Sequence, residues 1–201
     1  IYANKPLART WRRLLDEAKA AGGDRVTQID AARIAWHQGF VAEEIDKFCR
    51  ETEVMDVSGE RHKAVLTGED MARWRASYDT PATYDFNGYT VVKPGVWSQG
   101  PAHLQALALL KGFDLASMDP TGTEFVHTVT EAIKLAFADR DAFYGDPDFV
   151  DVPLEQLLSD AYNDERRKLI GNDASMELRH GRIDGFGCDV DYQAAINRSA
   201  G

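Results

Sequence analysis

EFVHTVTEAIKLAFADRDAF, residues 124–143, carries the strongest periodic signal in the chain. Phe125, Val129, Ala132, Ile133, Ala136 and Phe137 recur at three- and four-residue intervals, which lays them along one broad apolar stripe of a helix. Gly145 and Pro147 close the pattern. The spacing predicts a central, largely buried helix. Toward the C-terminus, residues 154–158 and 160–170 give two shorter helical pieces before Gly171. Residues 172–201 are polar, Gly-containing and weakly periodic, and read as a surface-exposed or poorly ordered tail.

Toward the N-terminus, residues 102–111 form another helical segment, entered through an irregular loop, residues 93–101, that holds Pro94, Pro101, Gly95 and Gly100. Residues 83–92 alternate aromatic and β-branched side chains around Asn87-Gly88, a hairpin signal. Thr67 followed by Asp70 resembles a capping box with Asp in place of Glu, opening a short helix over residues 68–77. Residues 29–38 and 41–51 read as two helices joined by a bend at Gly39. Leu7, Trp11, Leu14, Leu15 and Ala18 give a further amphipathic helix over residues 6–21, started by Pro6 and stopped by Gly22-Gly23. No internal repeat is present. The organisation expected is a helical part with one short β-hairpin, residues 1–171, followed by the polar tail, residues 172–201: an α+β chain, mostly helical.

Composition narrows the function classes. A chain of 201 residues with 44% hydrophobic content supports one or two globular domains and excludes disorder as the main state. With 23 Lys plus Arg against 33 Asp plus Glu, the net charge of −10 repels polyphosphate, and no segment supplies a basic patch. Nucleic acid and anionic membrane surfaces are therefore excluded as partners. No apolar run approaches the roughly 20 residues of a spanning helix. Cys49 and Cys188 allow at most one bridge and say little about compartment. The start at Ile1 without an initiator Met suggests a fragment or a processed product.

The search for self-contained chemistry fails at most signatures. There is no phosphate loop, no dinucleotide fingerprint, no His pair framing a Glu on a helix, and no nucleophile elbow. Ser98 lies between Gly95 and Gly100, at offsets that do not match an elbow, so loop hydrogen bonding is its better reading. Asp139, Asp141, Asp146, Asp148 and Asp151 offer oxygens for a hard cation, but without the Gly and Glu that a calcium loop needs. Helix ending, turn formation and an ion pair with Arg140 account for them better. His127 and Glu131 stand one turn apart and could form an acid/base or ligand pair, with a core or groove hydrogen bond favoured over catalysis.

Three stretches together resemble the γ-glutamyltransferase family: residues 66–72 (LTGEDMA); Asn87-Gly88-Tyr89 leading to residues 97–101 (WSQGP); and residues 131–140 (EAIKLAFADR) with residues 145–153 (GDPDFVDVP). The resemblance runs from about Pro6 to Ile170 and matches the C-terminal part of the family's large subunit. It implies a precursor that cleaves itself before a Thr, which becomes both the N-terminus of the small subunit and the catalytic nucleophile. Gly201 falls about where that junction would lie. The fold implied for the whole enzyme is the αββα sandwich of N-terminal nucleophile hydrolases, with no metal or cofactor.

The resemblance further implies a small amide as substrate, cleaved by acyl transfer to water or an amine, and a small subunit as partner, and it leaves room for a higher oligomer. It places no catalytic residue in this chain. Trp97, Ser98 and Gln99 are the candidate substrate-binding residues, because typical transpeptidases carry a triple-proline, Ser-Ser-Gly-Gly loop where this sequence reads Gly95-Val96-Trp97-Ser98-Gln99-Gly100-Pro101. That departure is closer to the acylase or amidohydrolase branch. The competing expectation is a non-catalytic helical scaffold or interaction subunit.

Overall fold

A computed structural model describes residues 3–187, which fall into two compact units, residues 3–77 and 78–187. The first unit opens with α1 (Lys5–Ala20), α2 (Arg25–His37) and α3 (Phe40–Glu51). Side chains supply the orphan donors of two of these N-termini: Asn4 accepts from Leu7 N–H and Asp24 from Thr27 N–H. Leu14, Ala18, Ala35, Val41, Ala42 and Cys49 are the buried apolar residues of the unit, and Trp11 stacks on Trp36 at 5.4 Å between ring centroids. Cys49 is a free thiol, and Cys188 lies outside the described residues.

After α3 the chain forms an antiparallel hairpin of β1 (Glu53–Met55) and β2 (Arg61–Lys63). The periodicity gave no hint of it, because all six strand residues are exposed and no apolar face alternates with a polar one. The next helix, α4 (Gly68–Arg73), carries the expected capping box, with Thr67 Oγ1 accepting from Asp70 N–H and the Asp70 carboxylate accepting from Thr67 N–H. It stops at Arg73, short of the expected Ser77. Trp74 turns to extended backbone and stacks its ring on His37 at 5.6 Å, a tertiary contact that competes with another helical turn.

The second unit begins with β3 (Ala82–Phe86) and β4 (Tyr89–Lys93), the expected hairpin, paired from Ala82↔Lys93 to Phe86↔Tyr89. Its two-residue turn needs positive φ twice, and Asn87 (49°) and Gly88 (82°) supply it. Next come α5 (Gly100–Leu110), α6 (Thr123–Phe143), α7 (Leu154–Leu157) and α8 (Asp160–Arg167). Ala106, Leu109 and Leu110 of α5 pack on Ala132, Leu135 and Ala136 of α6, with Phe86, Phe113 and Ile170 closing the cluster. Ala142, Phe143 and Leu157 form a second cluster with Tyr162, Ile183 and Phe186.

The central helix exists as expected, but its buried face does not coincide with the apolar stripe. Ile133 and Phe137 are 38% and 43% exposed, whereas Thr128, Glu131, Leu135, Ala138, Asp139, Ala142 and Phe143 are buried along with Ala132 and Ala136. The reason is that α6 is covered by polar as well as apolar neighbours, and a charged side chain that finds partners is buried where periodicity alone would expose it. Residues 172–187 contain no helix or strand and are bonded to α6 through Ser175, Arg179 and Gly181. Residues 188–201 of the expected tail lie outside the described residues. Among the described residues, no helix is long and apolar enough to cross a membrane.

Candidate functional site

The loop between β4 and α5 brings together the three residues singled out by sequence, and each has a different fate. Ser98 closes a tight turn: its N–H donates to Gly95 O at 3.0 Å, its hydroxyl donates to the same oxygen at 2.9 Å, and Oγ accepts from Gly100 N–H at 3.0 Å. Both hydroxyl partners are backbone groups, so this geometry holds a turn rather than activating a nucleophile. Gly100 is required here, because a Cβ would stand 2.8 Å from Lys93 Cβ and 2.8 Å from Pro94 O.

Gln99 Oε1 accepts from Arg140 Nη1 at 2.9 Å, which ties the loop to α6. Arg140 is itself fixed, donating through Nε and Nη2 to Asp141 Oδ1 at 2.9 and 2.6 Å and lying 4.7 Å over the Phe137 ring. The ion pair expected of Arg140 is therefore made with Asp141, and the contact to Gln99 is one the sequence did not disclose. Trp97 is 61% exposed and presents its indole at the surface beside this fixed frame. Gln99 is exposed as well, with its amide oxygen engaged by Arg140, while Ser98 is only partly exposed.

The same helix, α6, carries two buried carboxylates. Asp139, read from sequence as one of several helix-ending or turn-forming acids, is fully buried and accepts five hydrogen bonds. Oδ2 takes Gln105 Nε2 at 2.6 Å, Tyr162 Oη at 3.0 Å and Arg166 Nε at 3.1 Å; Oδ1 takes Arg166 Nη2 at 2.8 Å and Gly181 N at 2.7 Å. Burial, and then the Asp139 charge, raise the Tyr162 phenol above its ordinary value, so it stays protonated and donates. A charged residue in helical phase with Leu135 and Ala142 was the signal that could have exposed this role.

Glu131, the second, accepts from Ser175 N–H at 3.2 Å and Arg179 Nη2 at 3.0 Å, and pairs with Lys134 Nζ. Burial works against its charge, but the Lys134 bond, the Ser175 N–H and Arg179 outweigh it and hold the carboxyl below its ordinary value. His127 does not join it. Its Nε2 donates to Gly171 O at 2.8 Å, which places the proton on that nitrogen, since a carbonyl only accepts. The acid/base pair weighed from sequence is thus two separate grips on the chain beyond α8.

The comparisons with known proteins agree with one another. The gamma-glutamyltranspeptidase family model matches residues 1–197. Over 124 residues the chain is 36% identical to the Acylase ACY 1 proenzyme of Pseudomonas sp. (strain SE83), a match covering 61% of this chain and 22% of that protein. Over 120 residues it is 35% identical to the glutathione hydrolase proenzyme of Escherichia coli (strain K12), covering 58% of this chain and 21% of that protein. The solved structure of LmbA2991HD superposes with a TM-score of 0.76 at 51% identity, over 89% of this chain and 30% of that one. The chain thus spans about a fifth of the length of these curated relatives. Matched by the family model along almost all of its residues, the chain belongs to the gamma-glutamyltranspeptidase family.

Proposed function

We propose that this chain is the C-terminal part of the large subunit of an N-terminal Thr hydrolase that cleaves γ-glutamyl or related small amides. The family match over residues 1–197 carries this reading. The whole enzyme adopts the αββα sandwich, and its nucleophile is a Thr downstream of the described residues. That Thr is freed by self-cleavage: its hydroxyl oxygen adds to the preceding peptide carbonyl, the C–N bond breaks as the hydroxyl proton moves to the nitrogen, and water hydrolyses the resulting ester. The new α-amine, with an ordinary pKa of about 7.7 to 8.0, then serves as the base for its own hydroxyl. An acyl-enzyme forms on the amide substrate and is discharged to water or an amine.

Within this chain, Trp97 and Gln99 contribute to the wall of the substrate pocket, while Ser98 shapes the loop that presents them. The Ser98 hydroxyl is spent on Gly95 and Gly100, in keeping with a nucleophile supplied elsewhere. The experiment is to express the full-length protein, separate the chains it yields, and sequence the N-terminus of the smaller one. A Thr at that terminus, with γ-glutamyl anilide turnover in the same fraction, is the expected result. A protein that remains whole and inactive supports the scaffold reading instead.

A further inference from the structure

Four side chains of α6 hold the chain that follows α8, in the same order along both. His127 Nε2 donates to Gly171 O at 2.8 Å. Lys134 Nζ donates to Ser175 O, and Glu131 accepts from Ser175 N–H at 3.2 Å. Asp139 accepts from Gly181 N–H at 2.7 Å. From residue 127 to 139 a helix advances about 18 Å, so residues 171–181 run alongside α6 and in its direction. Arg179 is drawn in by Glu131 at 3.0 Å, and its carbonyl accepts from Arg166.

We propose that His127, Glu131, Lys134 and Asp139 are positioning residues that form a rail for residues 171–181 and thereby aim the downstream chain for self-cleavage. The proposal rests on the self-processing reading given above. Two features distinguish a rail from ordinary packing. First, the four side chains grip backbone atoms of the segment: two carbonyls, at Gly171 and Ser175, and two N–H groups, at Ser175 and Gly181. Backbone grips fix path and register whatever side chains the segment carries. Second, two of the four grips are carboxylates placed deep in the fold, Glu131 at 2% and Asp139 at 0% exposure. Buried charges are an inefficient way to gain stability, since apolar pairs of similar volume often do as well, but they tolerate little displacement of their partners.

Gly181 shows how tightly the segment is laid down. A Cβ at this position would collide with Tyr162 Oη and lie 2.8 Å from Cζ, so the backbone passes where only glycine fits. Self-cleavage depends on bringing a hydroxyl oxygen to about 3 to 3.5 Å from a carbonyl carbon, and misplacement by 1 Å can cost about a hundredfold. A rail that merely shortened the free chain would matter far less, because doubling a loop's length changes closure by only about threefold. The size of the effect therefore separates aiming from tethering.

The test uses the full-length protein and follows conversion of precursor into two chains over time, alongside the melting temperature of the precursor and turnover by the fully processed enzyme. Lys134→Met removes the grip on Ser175 O, Lys134→Arg can restore it, and Gly181→Ala pushes the backbone off Asp139. Lys134→Met and Gly181→Ala are expected to slow conversion by about tenfold or more, and Lys134→Arg by less than threefold, with processed turnover unchanged in all three; the two disruptive variants also melt lower, since one takes a partner from the buried Glu131 and the other crowds Tyr162. Slowing of threefold or less in Lys134→Met overturns the rail, and so does slowing matched by an equal loss of processed turnover, which general destabilisation alone would produce. Should Gly181→Ala fail to fold, the Lys134 pair decides alone. A wild-type protein that never divides overturns the proposed function and the rail together, whereas a dividing wild type with equally fast variants overturns only the rail.

Discussion

At the scale of single residues, α6 separates apolar character from burial. Leu135 is 1% exposed in the contact with α5, while Phe137 is 43% exposed under the Arg140 guanidinium. Removing the Leu135 side chain should cost about 2 to 5 kcal/mol, a cavity penalty. Phe137→Ala loses an exposed ring and its cation–π contact, about 1 kcal/mol. Denaturant titration of the two variants checks the order, and an equal or larger loss at Phe137 would restore it as the keystone that its place in the apolar stripe suggests. Glu131 supplies a second residue-scale expectation. Its folded-state pKa lies below the ordinary 4.5. Ionised Glu131 therefore stabilises the fold fully above the ordinary value, and that contribution fades as pH falls through the folded one. Hydrogen exchange at the Ser175 amide, which donates to this carboxylate, should accelerate relative to intrinsic rates on acidification below about pH 4.5 in wild type and show no such step in Glu131→Gln.

At the scale of elements, the caps and turns follow local sequence closely. Asn4, Asp24, Thr67 and Ser159 each accept from an orphan N–H at the start of a helix. The β3–β4 hairpin depends on Gly88 at φ 82° with open space where a Cβ would be, so the penalty for a side chain is one of backbone conformation alone. Gly88→Ala should destabilise by about 1 to 3 kcal/mol, and Gly88→Asn by less, because Asn tolerates the left-handed region; thermal melting of the two variants measures the difference. Elements were misread where tertiary contact competes with local preference, as when Trp74 leaves α4 to stack on His37. The β1–β2 hairpin was missed because it is too short and too exposed to alternate.

At the scale of the whole molecule, the curated relatives are several times longer than the part this chain matches, and the proposed function places the nucleophile outside it. Expressed alone, residues 1–201 should release no γ-glutamyl anilide product above the buffer rate; activity that survives purification would place a nucleophile inside the chain and end the proposed assignment. Trp97 either packs structurally against the rest of the large subunit or lines the pocket; on the pocket reading proposed above, its exposed indole would narrow the acceptor side and admit water more readily than an amino acid or dipeptide. Hydrolysis should therefore exceed transfer when an accepted acyl donor is supplied with glycylglycine, and Trp97→Ala should shift the ratio of free acid to acyl-dipeptide toward transfer. Predominant transfer by wild type would refute the preference, and an unchanged ratio in a stable variant would remove Trp97 from its explanation.

The amino-acid sequence by itself determined the helices, the Asn87-Gly88 hairpin, the capping box at Thr67 and the family, because periodicity, turn chemistry and motif spacing act over a few neighbouring residues. It also argued against Ser98 as a nucleophile, since its Gly neighbours stand at offsets that do not match an elbow. Only the tertiary structure decided which face of α6 is buried and that Asp139 is a five-bond hub. The same holds for the separation of His127 from Glu131 and for the bonding of Gly181 to a residue 42 positions earlier. The physical reason is common to all of these. A buried charge is stable only where distant donors converge on it, and convergence across tens of residues leaves no periodic trace in the residues that take part.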